Sequence, residues 1–153
     1  ENKMLKIYNI LEKMKFLKEV ATLEYEEWAD KPEEDKEARI KGKIEKIKIK
    51  LKGKDFCKLI LLDDDKLIGF ISIFPQDCDE CQKLSPWYAT MYVKKEYRGQ
   101  GYSKILNDAI LKEARKRGYK EIYLKTTLND YYEKFGAIFV KKISEEKIYK
   151  FEL

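Results

Sequence analysis

Apolar residues recur along this chain with two periods, and each change of period marks an element. Met4 to Ile10 alternates apolar and polar positions, which predicts a first strand. From Phe16 to Trp28 the apolar positions Leu17, Val20, Leu23 and Trp28 fit one face of a helix, ended by Asp30, Lys31 and Pro32. A second helix is predicted from Pro32, since proline suits a first helical position. Its stripe is Ile40, Ile44, Ile47 and Leu51, with lysine and glutamate on the other face and Gly53 closing it. A stripe this short suits a helix packed on a sheet better than a coiled coil. Phe56 to Leu62 reads as a buried strand, Asp63-Asp64-Asp65 as a turn, and Leu67 to Phe74 as the next strand. Pro75 to Pro86 is an acidic loop carrying Asp77, Asp79 and Glu80, and Trp87 to Val93 is a further strand. Helical spacing returns from Lys104 to Arg117, with Ile105, Leu106, Ala109, Ile110 and Ala114 on one side and Gly118 past the end. Glu121 to Thr127 is a strand and Asn129 to Phe135 a short helical piece. Ala137 to Lys142 and Lys147 to Leu153 form a closing strand pair around Ser144-Glu145-Glu146. This interleaving predicts an α/β (α+β) fold, a mixed sheet with helices on both faces.

Composition narrows the chemistry. At 153 residues the expectation is one domain, 1–153, and 44% hydrophobic residues are enough for a core. Charged residues make up 40%, so the outer faces carry heavy charge. The net charge of +5 is mostly lysine, and Arg39, Arg98, Arg115 and Arg117 are not clustered on a reading helix. That pattern suits a charged surface and an anionic ligand better than a nucleic-acid site. The chain has no histidine, which removes Ser-His and Cys-His pairs and histidine-based metal sites. Cys57, Cys78 and Cys81 are an odd number of cysteines, which points to a reducing compartment. Cys78 and Cys81 lack the partners of a zinc site and the setting of a redox motif, so they read as loop cysteines without a role. The acidic triplet lacks the rest of a calcium loop, and no metal is expected. No apolar run approaches membrane-spanning length, and no hydrophobic signal core is present. The expectation is a cytoplasmic protein, monomer or homodimer, with no nucleic-acid or membrane partner.

The stretch Val-Lys-Lys-Glu-Tyr-Arg-Gly-Gln-Gly-Tyr-Ser from Val93 to Ser103 carries the most specific chemistry. A strand leads in, a helix leads out, and Gly99 and Gly101 stand two residues apart between them. Glycines there let successive N–H groups converge on one anion, and the helix N-terminus adds its positive dipole end. Arg98 sets a permanent cation beside them. A phosphate or pyrophosphate is the natural occupant. A plain strand-to-helix turn also needs glycines, so Gly-x-Gly by itself does not decide.

Arg98-Gly99-Gln100-Gly101-Tyr102-Ser103 resembles the cofactor motif Gln/Arg-x-x-Gly-x-Gly/Ala of the GNAT N-acetyltransferase superfamily, with Arg98, Gly101 and Ser103 in the motif positions. The resemblance covers most of the chain and is strongest from Leu84 to Val140. It implies a GNAT-like, mostly antiparallel sheet of about seven strands, with the strand ending at Val93 parted from the one starting at Glu121. Pantetheine of acetyl-CoA would lie in that gap, along Met91, Tyr92 and Val93, with the pyrophosphate on the amides of residues 98–103. Tyr132-Glu133-Lys134-Phe135-Gly136 resembles a Tyr-x-x-x-Gly segment of the same family, which points to Tyr132 as the acid for the departing thiolate. Tyr131 is adjacent and keeps the register open. Asn129 is implied as a further cofactor contact. Ser85-Pro86-Trp87 resembles a segment of a family subset and implies that Trp87 and Asp77 face the acceptor, Asp77 also as a base through water. The implied activity is direct acetyl transfer from acetyl-CoA to a primary amine: a small molecule, polyamine or peptide N-terminus. Weak base machinery predicts α-amines over lysine side chains, and the acidic loop predicts cationic acceptors. The alternative is a domain that binds coenzyme A without turnover.

Overall fold

In a computed structural model, which describes residues 3–30 and 34–153, the alternating segments pair into one sheet. Its strands are β1 (Leu5–Asn9), β2 (Cys57–Asp63), β3 (Lys66–Phe74), β4 (Trp87–Val93), β5 (Glu121–Thr126), β6 (Ile138–Ile143) and β7 (Glu146–Glu152). They lie in the order β1-β2-β3-β4-β5-β7-β6. Neighbours run antiparallel except β4 and β5, which are parallel and join at one residue pair, Trp87 with Tyr123. Tyr123 N–H also donates to Pro86 C=O at 3.0 Å. The two strands therefore meet where β4 begins and part beyond it, which opens the sheet at its centre.

Among the described residues, three α-helices cover the faces. Helix α1 (Leu17–Trp28) and helix α2 (Lys36–Lys50) lie on one side, and helix α3 (Tyr102–Lys116) lies on the other. The period of two in β2 feeds both layers. Ile60 and Leu62 pack with Leu17, Val20 and Ile47 of α1 and α2, while Leu59 and Leu61 pack with Leu106 and Ile110 of α3. The expected start of α2 at Pro32 lies outside the described residues. No helix among the described residues is long and apolar enough to cross a membrane.

Two expected stripes differ in detail. Trp28 is 48% exposed, and the inner face of α1 instead holds Val20, Ala21, Glu24 and Tyr25. On α3 Ile105 turns outward, while Asn107 and Leu111 are buried. In both cases a polar side chain lies inside because it has a partner there: Glu24 pairs with Lys58, and Asn107 accepts from the Tyr88 hydroxyl at 2.7 Å. The helical piece expected from Asn129 contracts to one 3-10 turn, Tyr132–Phe135.

Candidate active site

Where β4 and β5 part, a cavity of about 530 Å³ opens between the sheet and α2. Its wall on β4 is a bulge. Ala89 pairs with Ser72 and Tyr92 with Phe70, so Thr90 and Met91 together stand opposite Ile71. A bulge breaks the ladder locally and re-aims the backbone. Thr90 has φ of +51°, a rare conformation for a β-branched residue, and it needs support from its surroundings. The support is a buried polar network. Thr90 Oγ1 lies 2.6 Å from Ser72 Oγ, and Lys58 Nζ donates to Ser72 Oγ at 2.6 Å and contacts Thr90 Oγ1 at 3.5 Å. Lys58 Nζ is also 2.5 Å from Glu24 Oε2, and both side chains are buried. Burial pulls the Lys58 ammonium below the usual lysine range, and the Glu24 carboxylate opposes that shift. Lys43 of α2 reaches the other Glu24 oxygen at 3.3 Å.

The two adjacent tyrosines keep ring contact, but only Tyr132 lines the cavity. The Tyr132 ring stands edge-on to Tyr88 at 5.8 Å. Burial, and next to it the neighbouring Tyr131, pushes the Tyr132 phenol up to about 12. Tyr131 packs edge-on against the Tyr132 ring at 4.8 Å, and its hydroxyl lies 3.4 Å from Ser103 Oγ at the start of α3. Gly136, with φ of +96°, ends the turn that sets this register. Asp77 also lines the cavity. Burial raises its carboxyl pKa, Lys125 lowers it and Glu146 raises it again.

The glycine loop lies at the N-terminus of α3. Gly99 and Gly101 have φ of +78° and +83°, and a Cβ at either would meet no atom within 4 Å. Their requirement is therefore conformational: the left-handed backbone turns the amides of the loop. Arg98 folds back, its Nε donating to Val93 C=O at 2.8 Å and its guanidinium lying over Tyr92. Gln100 Oε1 and the Tyr102 hydroxyl both accept from Lys3 Nζ, at 3.2 and 2.6 Å. Backbone amides, the Ser103 and Tyr102 hydroxyls and the Lys3 ammonium are thus gathered around the first turn, which fits an anionic group.

Residues 7–137 match the family described as Acetyltransferase (GNAT) family. The chain belongs to the GNAT acetyltransferase family. It is 34% identical over 89 residues to N-alpha-acetyltransferase 30 of Schizosaccharomyces pombe, a match spanning 55% of this chain and 59% of that relative. The chain thus matches somewhat over half the length of that relative. Its fold is similar to the PaiA N-acetyltransferase of Thermoplasma acidophilum in complex with coenzyme A, with a TM-score of 0.67 at 22% identity, covering 97% of this chain and 99% of the other. It is also similar to a GNAT family acetyltransferase of Elizabethkingia anophelis with acetyl-CoA bound, with a TM-score of 0.63 at 14% identity, covering 97% and 98%.

Within this GNAT fold the residues expected from sequence divide. Met91, Tyr132 and Asp77 come together at the cavity, and Arg98 to Ser103 form the loop at α3. Tyr92 and Val93 lie between the two, Tyr92 stacked on Phe70 at 5.3 Å and Val93 packed against the α3 side. Trp87 is not part of the cavity lining. It is fully buried, its indole N–H donates to Leu84 C=O at 2.8 Å, and its ring packs on Tyr123 with Cys78 and Cys81. Those cysteines are free thiols and core packing. Asn129 is not brought to the cavity either, because its amide oxygen accepts from Lys147 at an exposed site. Of the acidic loop, Asp79 and Glu80 stay exposed and only Asp77 reaches the cavity. Sequence reasoning missed Glu24, Lys58, Ser72 and Thr90. Two signals were present: a lysine inside the apolar run Cys57 to Leu62, and a glutamate on the inner spacing of α1. A charge in such a place needs a partner.

Proposed function

We propose that the chain transfers an acetyl group from acetyl-CoA directly to a primary amine. One observation carries the reading: the parted strands set the Thr90 bulge, Tyr132 and Asp77 around one cavity, and β4 leads from it to the glycine loop. Acetyl-CoA supplies an activated thioester. The amides of residues 98–103 and the α3 N-terminus hold its pyrophosphate. Backbone groups of Met91 to Val93 hold the pantetheine, and the re-aimed backbone at the bulge polarises the thioester carbonyl. The amine nitrogen attacks that carbon, the C–S bond breaks, and the electron pair leaves with sulfur. A simple thiol titrates near ~8.5, well below the Tyr132 phenol at about 12, so Tyr132 steadies the thiolate by a hydrogen bond without giving up its proton. The amine's proton passes through water to Asp77, whose raised pKa makes it a better base than an exposed carboxylate.

The acceptor must be neutral to attack. At pH 7 an α-amine near ~7.8 is roughly 15% neutral and a lysine-type amine near ~10.4 about 0.04%. The name of the S. pombe relative supports the α-amine, and a reducing, cytoplasmic setting fits three free thiols. The first test is binding. Acetyl-CoA at a hundredfold excess over its Kd should stabilise the fold by ~2.7 kcal/mol. Gly101→Val should abolish that effect, because valine resists the +83° φ that aims the amides. A thermal shift kept in the variant would overturn the loop assignment. Stabilisation with no amine-dependent thiol release would overturn the transfer.

A further inference from the structure

Helix α2 turns Lys43, Lys46 and Lys50 into the cavity, at positions i, i+3 and i+7 of one face, and β5 adds Lys125. With Lys58, five lysines among the described residues line the cavity, against three carboxylates, Glu24, Asp77 and Glu146. Several of these charges offset one another. Glu24 is shared between Lys58 and Lys43, at 2.5 and 3.3 Å. Asp77 feels the opposing fields of Lys125 and Glu146. Lys46 has no ion-pair partner among the described residues, and Lys50, which adds to the field that lowers the Asp77 carboxyl, forms no ion pair among them and lies over the Phe56 and Phe74 rings, at 6.0 and 5.7 Å. Their side chains stand one helical turn apart, which allows both ammonium groups to close on one anion. The lysine face and the bulge bound the same space. A chain of contacts runs from Lys43 through Glu24 and Lys58 to Thr90. A concave wall focuses such a field far more than a convex surface does. The lining thus reverses the charge argument drawn from the acidic loop, which sends only Asp77 to the cavity.

We infer that the acceptor is a primary amine that also carries a carboxylate or phosphate, with the anion on Lys46 and Lys50 and the amine toward Asp77 and the Thr90 bulge. This rests on the transferase reading above. Such an acceptor uses both signs of charge in the cavity, and a polyamine meets repulsion from α2.

The test uses two matched pairs on the full chain: O-phosphoethanolamine against ethanolamine, and a dipeptide amide beginning with Glu against one beginning with Gln. The pairs separate a phosphate from a carboxylate source. Acetyl transfer should favour the anionic member of at least one pair by about tenfold or more in kcat/KM, mainly through KM. Lys46→Glu with Lys50→Glu should remove or invert that preference. Lys41→Glu, the same kind of substitution at an α2 position outside the cavity lining, should leave it in place. Equal or faster transfer to the neutral member of both pairs would overturn the inference and leave the transferase standing. Anion occupancy is read without turnover by the melting temperature with O-phosphoethanolamine or the Glu dipeptide amide. One of them should raise it in the native chain and the Lys41→Glu variant, but not in the double variant. Neither raising it would overturn the inference whatever the turnover. A clear shift with no transfer to any amine would overturn the transferase reading and keep the anion site.

Discussion

At the scale of single residues, orientation decides chemistry. Tyr131 and Tyr132 share a composition, a neighbourhood and nearly a position, yet one reaches Ser103 and the other the cavity. We expect Tyr132→Phe to lower kcat by ~10²-fold or more, with acetyl-CoA binding almost unchanged. Tyr131→Phe should keep most of its turnover, and the two variants are compared by steady-state thiol release. The pH profile gives an independent reading. The phenol is a donor only below its pKa, and burial pushes that to about 12. The neutral amine fraction rises with pH over the same range. The rate should therefore climb from pH 6, level off about one unit above the α-amine pKa of ~7.8, and hold to pH ~10 without an alkaline fall. Full turnover in Tyr132→Phe, or a rate that drops above pH ~8, would exclude the role.

At the scale of elements, the path of β4 depends on how closely β3 approaches it. A Cβ on Gly69 would lie 2.3 Å from the Tyr92 carbonyl oxygen and 3.1 Å from Leu106 Cδ1. The oxygen belongs to backbone and cannot turn aside. Gly69→Ala should thus cost about 1–3 kcal/mol, as other overpacked positions do, and lower the urea midpoint. Gly42 is the contrast. It lies within α2, and a Cβ there meets nothing within 4 Å. Gly42→Ala should stabilise by about 0.5–1 kcal/mol, the ordinary helix gain. An unchanged midpoint in Gly69→Ala would mean that β4 can shift, and the bulge with it.

At the scale of the whole molecule, the Glu24–Lys58 pair joins α1 to the sheet beneath the bulge. Removing one partner leaves a buried charge, so Glu24→Gln should cost about 3–5 kcal/mol. Replacing both, Glu24→Leu with Lys58→Met, should recover most of that stability, since apolar pairs often replace buried ions without loss. Acetyl transfer should not recover, because Thr90 then loses its Lys58 contact, and Ser72, which supports its strained φ, loses the Lys58 donor. Denaturant curves and turnover on the same samples check both halves. Full activity in the double variant would reduce the pair to a packing device.

Much of this was written locally along the chain. Strand β4 reads from Trp87 to Val93 in both sequence and structure, because a run of aromatic and β-branched residues before a Gly-rich turn has few other readings. The turn's glycines take the positive φ that only their identity makes cheap, and Gly136 ends its 3-10 turn for the same reason. The apolar period placed β2, β3 and α3 within a few residues, because each must bury one face. What the tertiary structure alone decided are the features that depend on pairing. Thr90 becomes a bulge only against the register of β3, which no local pattern encodes. Trp87 turned inward because the parallel contact with Tyr123 closes over it. Lys58 and Glu24 lie 34 residues apart and look like errors of pattern until the fold brings them to 2.5 Å. The sign of the cavity's charge follows from the same cause, since α2 lysines and the lone Asp77 of an acidic loop meet only across the parted sheet.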